Sequence, residues 1–243
     1  MYEITVTDVE HHTEKLFSIR TTRPDTFKFV NGEFVMIGLP TESGKPLLRA
    51  YSSVSTQWDE HLDFCSIKVP DGPLTSRLQH VKPGDKMIMG RKATGSLLVD
   101  AVHSKPNLVM LATGTGVAPF VPIAQDPWTY ERFERVYLFH TVRHSKELAF
   151  EQKFADMVDT YPDFKYISTV TEEPEYTGRR GRFWQHLDAF LPNGFVKERD
   201  SVMVCGSPEL NKHCREYFTE DGWVESAPNG TPGDFALERA FAD

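Results

Sequence analysis

The sequence predicts two domains, an antiparallel β-barrel or sandwich over residues 1–103 and an open α/β parallel sheet over residues 104–243. Three observations carry this reading. At 243 residues the chain exceeds the roughly 100–200 residues of one common domain. Up to His103, short β-type runs alternate with Gly, Pro, Asn and Asp turn signals. After Ser104-Lys105-Pro106-Asn107 the rhythm changes to continuous apolar runs separated by helical patterns.

In the first part, residues 3–9, 15–21, 33–39, 47–53, 62–69 and 86–90 read as strands bounded by turn residues. Many short strands at this spacing build a barrel or a sandwich. The helical candidate there, residues 75–80, is entered from Gly72-Pro73 and stopped by Pro83-Gly84. In the second part, residues 108–112 are apolar throughout, the mark of a strand buried on both faces of a parallel sheet. Residues 136–140, 166–170 and 201–205 repeat that character, with helical candidates at 117–124, 146–160, 181–191 and 209–221. A Gly/Pro/Asn loop at 228–234 leads to a last strand at 235–238. Such alternation implies right-handed crossovers and ligands bound beyond the carboxyl ends of the strands.

Bulk properties exclude several functions. A net charge of -8 disfavours non-specific nucleic-acid binding. The charge is uneven: 12 Lys+Arg stand against 13 Asp+Glu up to His103, and 15 against 22 beyond it. An acidic partner therefore meets less repulsion on the first part. The sequence has no apolar run of ~18 residues to span a bilayer, and its first residues show no secretory signal. Cys65, Cys205 and Cys214 form neither a metal-spaced pair nor an even disulfide set, and the histidines have no metal spacing, so no metal is expected. A reducing cytoplasm is the expected compartment.

Three motifs and one strand end carry chemistry. Arg49 and Tyr51, two apart on a strand, project to the same side, with Ala50 between them and Ser52 after. A guanidinium forks onto phosphate and a phenol ring lies flat against a planar system such as isoalloxazine; four residues alone favour an edge-strand Arg with a half-buried Tyr, and the next motif in its expected place reverses that preference. Gly72-Pro73-Leu74-Thr75 turns the chain into a helix whose free N–H groups and Thr75 hydroxyl can receive an anion, or simply cap the helix. Thr113-Gly114-Thr115-Gly116 follows an apolar strand, and its glycines permit a tight turn close to a nucleotide without the full G-x-G-x-x-G fingerprint. Cys205-Gly206 ends another apolar strand.

Arg49 to Ser52, then Ser66 to Thr75, then Thr113-Gly114-Thr115-Gly116-Val117-Ala118-Pro119-Phe120, then Cys205-Gly206-Ser207-Pro208 resemble, in that order, the ferredoxin-NADP reductase family, most of all its bacterial ferredoxin/flavodoxin reductases. The similarity runs from about the tenth residue onward. It implies an FAD-binding β-barrel domain followed by an NADP-binding α/β domain with a tail returning to the flavin. Arg49 and Thr75 would hold the FAD pyrophosphate, Tyr51 would stack on the flavin with Ser52 near N5, and Ile67, Lys68, Val69, Gly72, Pro73, Leu74 and Thr115 would flank the cofactor. Thr113, Gly114, Thr115 and Gly116 would meet NADP, with Cys205 and Gly206 beside its nicotinamide. The resemblance favours Arg143 and Arg182 for the 2'-phosphate, with Arg179 and Arg180 close by; Glu172, where many relatives have arginine, would repel that phosphate. Ala240 would lie against the flavin and Phe241 toward the adenine.

The implied catalytic group is Tyr51, Ser52, Cys205 and Ala240. The implied activity is electron transfer between NADP(H) and ferredoxin or flavodoxin by a monomer, through hydride exchange at flavin N5 and one-electron steps. Two alternatives remain open: an NADH-dependent reductase component serving an oxygenase or a ferric or flavin acceptor, which Glu172 favours, and a flavin relay without nucleotide turnover, against which residues 114–120 and Cys205 argue.

Overall fold

Alternating apolar and polar residues build six antiparallel strands: β1 (Tyr2–His11), β2 (Leu16–Thr22), β3 (Phe34–Leu39), β4 (Leu47–Ser52), β5 (His61–Ile67) and β6 (Lys86–Thr94). The structure, a computed structural model, describes residues 1–41, 44–228 and 230–240. The sheet order is β4-β3-β6-β1-β2-β5. Its two edge strands meet where Ser53 bridges Phe64 and the Val54 N–H donates to Asp63 O at 2.8 Å. The sheet therefore closes into a barrel rather than stacking as a sandwich. Ile4, Val6, Phe17, Ile19, Val35, Ile37, Phe64 and Met89 fill it, and the short α1 (Thr75–Leu78) adds Leu78 to that core. Each such side chain contributes about 1.5–3 kcal/mol by leaving water.

Five strands make the second sheet: β7 (Asn107–Thr113), β8 (Arg135–Val142), β9 (Phe164–Val170), β10 (Asp200–Gly206) and β11 (Phe235–Arg239). All pairs are parallel, in the order β11-β10-β7-β8-β9. Alternate residues serve opposite faces. Leu108, Met110 and Met203 share a core with Leu16, Val54 and Leu97 of the barrel side, so apolar packing joins the two sheets. Val109, Leu111, Val202 and Val204 pack on the other face with Cys214 and Phe218 of α5 (Pro208–Glu220).

The helical expectations need correction. The 117–124 candidate is a 3-10 turn (Gly114–Val117) followed by α2 (Phe120–Gln125). The unanticipated α3 (Pro127–Arg132) has Pro in its first turn, where a missing N–H costs nothing, and Asp126 caps it by accepting the Trp128 N–H at 2.9 Å. The 146–160 candidate is interrupted, because Phe150 takes a left-handed conformation (φ 64°) and α4 (Glu151–Thr160) begins only after it. The 181–191 stretch is a 3-10 helix over Phe183–Ala189 rather than an α-helix.

From β7 the chain steps outward through β8 and β9, then returns to β10 on the opposite side of β7. The carboxyl ends of β7 and β10 thus flank a topological switch point, where a crevice opens toward the barrel.

Candidate functional site

The two strand ends at the switch point touch through glycine. A Cβ at Gly116 would lie 2.3 Å from Cys205 O, and one at Gly206 would lie 2.1 Å from Thr113 Oγ1. The Ser207 N–H donates to Thr113 Oγ1 at 2.9 Å, locking the ends together. Gly114 is left-handed (φ 54°), which glycine tolerates without strain. Its carbonyl accepts the His140 Nε2–H at 2.9 Å, since a carbonyl cannot donate; Nδ1 therefore accepts the Tyr166 hydroxyl at 3.0 Å. Burial pushes the imidazole down to about 4, against the raising effect of the Gly114 bond, so His140 is a neutral brace beneath the turn.

A cavity of about 770 Å³ lies between barrel and switch point. Arg49 and Tyr51 both line it, as their spacing on β4 requires, together with Ala50, Ser52, Ile67, Val69, Gly72, Pro73, Leu74, Thr75, Thr115, Cys205 and Ala240. The Tyr51 ring stands edge-on to Phe64 at 6.4 Å, and its hydroxyl lies 2.9 Å from Ser66 Oγ. Burial raises the phenol above its ordinary value. A Cβ at Gly72 would sit 2.2 Å from Thr75 Oγ1, so that space is already taken by the Thr75 hydroxyl; contrary to expectation, the hydroxyl gives its proton to Val69 O at 3.2 Å rather than keeping it for an anion. At the start of α1 the Ser76 N–H donates to Gly72 O at 3.1 Å, and the Arg77 and Leu78 N–H groups donate to Leu74 O at 3.0 and 2.8 Å, so the turn is closed largely by its own backbone. Burial, and then the nearby Glu238 charge, hold the Cys205 thiol well above its usual range, so it is a neutral, unreactive wall. Cys65, Cys205 and Cys214 are all free and buried.

Sequence reasoning missed Glu238. The parallel register of β10 and β11 sets it against Cys205, and it lines the same cavity. Its Oε2 accepts the Ser96 N–H at 3.0 Å, tying the last strand to the barrel side. Burial pushes the carboxyl up to about 7, although Ser96 pulls the other way. A lone acid in the otherwise apolar run Phe235-Ala236-Leu237 was the available signal. Beyond it, the Ala240 N–H donates to Gly206 O at 3.1 Å, and the buried Asn211 amide donates to Gly206 O (3.2 Å) and Glu238 O (3.1 Å). Phe241 lies outside the described residues.

A larger cavity of about 1150 Å³ adjoins the first, sharing Ile67, Val69 and Thr115 as walls. Thr113, Gly114, Lys68, Arg143 and Arg182 line it; so do Trp184 and His213, which were not anticipated and which meet edge-on at 4.8 Å. Gly116 and Gly206 stand behind the walls at the strand contact. The guanidinium of Arg179 instead covers the Phe190 ring at 5.1 Å, and neither it nor Arg180 lines the cavity. Glu172 does line it, paired with Arg143 at 3.8 Å. Volumes of this order suit dinucleotide-sized ligands.

The family description "Oxidoreductase FAD-binding domain" matches residues 3–94, and "Oxidoreductase NAD-binding domain" matches residues 110–216. The chain is 42% identical to the flavodoxin/ferredoxin-NADP reductase of Rhodobacter capsulatus, over 98% of this chain and 92% of that one. It is also 42% identical to the ferredoxin-NADP reductase of Azotobacter vinelandii, over 98% and 96% of the two chains. The chain belongs to the ferredoxin-NADP reductase family.

A solved family structure agrees with that membership. The ferredoxin NADP+ reductase of Neisseria gonorrhoeae, with bound FAD and NADP, superposes with a TM-score of 0.90 at 29% identity, covering 99% of this reductase and 98% of that chain. A flavohemoglobin from Malassezia yamatoensis, at 16% identity and a TM-score of 0.78, shares the fold alone. No helix of this reductase, among the described residues, is long and apolar enough to cross a membrane.

Proposed function

We propose that this chain is an FAD-dependent reductase that exchanges electrons between NADP(H) and ferredoxin or flavodoxin, with FAD in the barrel-side cavity and NADP(H) in the larger one. The observation that carries the reading is the junction of the cavities at Ile67, Val69 and Thr115, beneath the switch point. Two ligands entering from opposite sides meet there. The tight turn Gly72-Pro73-Leu74 lines the barrel-side cavity together with Arg49, whose forked donor suits the pyrophosphate of FAD. Residues 1–103 and 104–243 would form the two cofactor-holding domains of a cytoplasmic monomer.

Bound FAD supplies the hydride and single-electron chemistry; the protein binds, orients and excludes water. Arg49 beside the turn at Gly72 would hold the pyrophosphate. Tyr51, fixed by Ser66, offers a rigid ring face. Gly114, braced by His140, lets a nucleotide approach the backbone at the end of β7. Cys205 closes one wall with a small neutral thiol, and Glu238, protonated or not near neutral pH, can hold a proton beside it. Ala240, pinned to Gly206, leaves room where a larger side chain would not.

Anaerobic stopped-flow reduction of the purified flavoprotein by NADPH and by NADH, followed by addition of ferredoxin or flavodoxin, tests the proposal. Fast reduction by NADPH with onward transfer is expected. A wild-type preference for NADH would favour the oxygenase-reductase reading, for which the carboxylate of Glu172 in the nucleotide cavity is the supporting observation.

A further inference from the structure

Among the charged residues that line the larger cavity, which also include Lys68, Arg182 and Glu147, Arg143 and Glu172 form an ion pair. β8 and β9 end in register, with Val142 against Val170, and the chains leave the sheet together. The Thr171 N–H donates to Val142 O at 3.0 Å and the Glu172 N–H to Arg143 O at 2.8 Å. This backbone pairing makes the two side chains neighbours at 3.8 Å, both well exposed, at 72% and 59%. Adjacent acids are engaged elsewhere: Glu147 Oε2 accepts the Arg143 and His144 N–H groups at 3.1 and 3.2 Å, and Glu173 accepts the Ser145 N–H and hydroxyl at 2.7 and 3.0 Å. The carboxylate of Glu172 has Arg143 as its partner among the described residues. An ion pair this exposed is weakly held and opens readily to a ligand.

Resting on the nucleotide assignment above, we propose that Glu172 is a specificity residue that makes this cavity accept the adenosine ribose in two forms. Arg143 pairs with a 2'-phosphate, and Glu172 accepts the hydrogen bond of a 2'-hydroxyl, as acids do in other dinucleotide sites. The two alternatives compete because each side chain is the other's partner when no nucleotide is bound. A 2'-phosphate must part Arg143 from Glu172 and then lie beside a like charge. A 2'-hydroxyl meets an acceptor and leaves Arg143 able to keep its contact. The selectivity for NADP(H) over NAD(H) is therefore narrowed by this one residue.

Calorimetric titration of the flavin-loaded protein with NADP+ and with NAD+ reads this without turnover. Glu172→Gln should bind NADP+ about 5- to 20-fold more tightly, the size of unit charges interacting through water at contact range. The same variant should bind NAD+ about threefold more weakly. Arg143→Gln should lose NADP+ affinity while keeping most of its NAD+ affinity. Glu172 is exposed, so an unchanged flavin spectrum and melting temperature are expected in its variant. A ratio of the two affinities unchanged within twofold in Glu172→Gln, with both nucleotides still titrating, would overturn the inference alone. Failure of the wild type to bind either nucleotide would overturn the cavity assignment and this inference with it.

Discussion

The Tyr51 hydroxyl lies 2.9 Å from Ser66 Oγ, directly across the seam at which β4 and β5 close the barrel. The sheet ladder at this seam is thin, with the Ser53–Phe64 bridge beside it, so a side-chain hydrogen bond both helps close the barrel and sets the angle of the ring in the cavity. Tyr51→Phe keeps the ring and removes that tie. A loss of about 1 kcal/mol in urea unfolding is expected, the usual worth of one hydrogen bond, together with a few-fold weaker hold on flavin. Ser66→Ala should give the same loss, and the double variant little more. Additive losses would mean that the two hydroxyls act separately.

Two buried titrations with opposite signs should cancel in the wild type. Burial raises the Glu238 carboxyl from 4.5 to about 7, so its contribution favours folding at low pH and is lost as pH rises from about 4.5 through 7. Burial lowers the His140 imidazole from 6.5 to about 4, so its contribution is complete above 6.5 and is lost as pH falls toward 4. Between about pH 4.5 and 6.5 the two slopes oppose each other. Glu238→Gln should therefore make stability rise more steeply with pH than in the wild type across that window, and His140→Asn less steeply. Each isolated slope approaches, but does not exceed, about 1.4 kcal/mol per pH unit for one proton. Chemical denaturation at several pH values checks this; parallel profiles for wild type and both variants would refute it.

Gly116→Ala should be severe although the residue is small. The added Cβ would lie 2.3 Å from the Cys205 carbonyl, a backbone atom that cannot swing away. The ends of β7 and β10 must part, which should cost on the order of 2–4 kcal/mol, within the range of strained or overpacked core substitutions. Nucleotide binding should fall by more than flavin binding, since the displaced turn carries Gly114. Gly44→Ala, where nothing stands within 4 Å of the added Cβ, provides the contrast, although its φ of 78° leaves a smaller conformational cost.

What the sequence made legible depended on whether the signal was local. The two-residue period of Arg49 and Tyr51 was enough to place both on one cavity wall, and the apolar runs at 108–112 and 201–205 were enough for a parallel sheet. Glu238 faces Cys205 only because β10 and β11 pair in a particular register, and no local pattern encodes a partner so far along the chain. Ser66 meets Tyr51 for the same kind of reason, through closure of the barrel. Pro127 reads as a breaker in isolation but starts α3, because its missing N–H falls where a helix has no use for one. Sequence alone presents Glu172 as a repulsive charge for a 2'-phosphate, whereas the register of β8 and β9 delivers Arg143 to its side.

Ala240 is a small wall of the barrel-side cavity, and its backbone is anchored by the bond from its N–H to Gly206 O at 3.1 Å. Asn211 reinforces the anchor by joining Gly206 O to Glu238 O, so the position of residue 240 is fixed by buried groups even though its own side chain is a single methyl. Ala240→Tyr should then place a ring inside the cavity without disturbing the strand before it. That ring would compete with nicotinamide for the open flavin face, and displacing it gives up aromatic contact worth ~0.5 to 1.5 kcal/mol beyond area burial. If displacement precedes chemistry, hydride transfer slows by roughly 2- to 13-fold while FAD stays bound. Single-turnover reduction by NADPH measures it. Rates equal to wild type would mean that residue 240 does not border the reactive ring, and loss of FAD would mean that the added ring reaches further into the flavin site than the anchor at Gly206 implies.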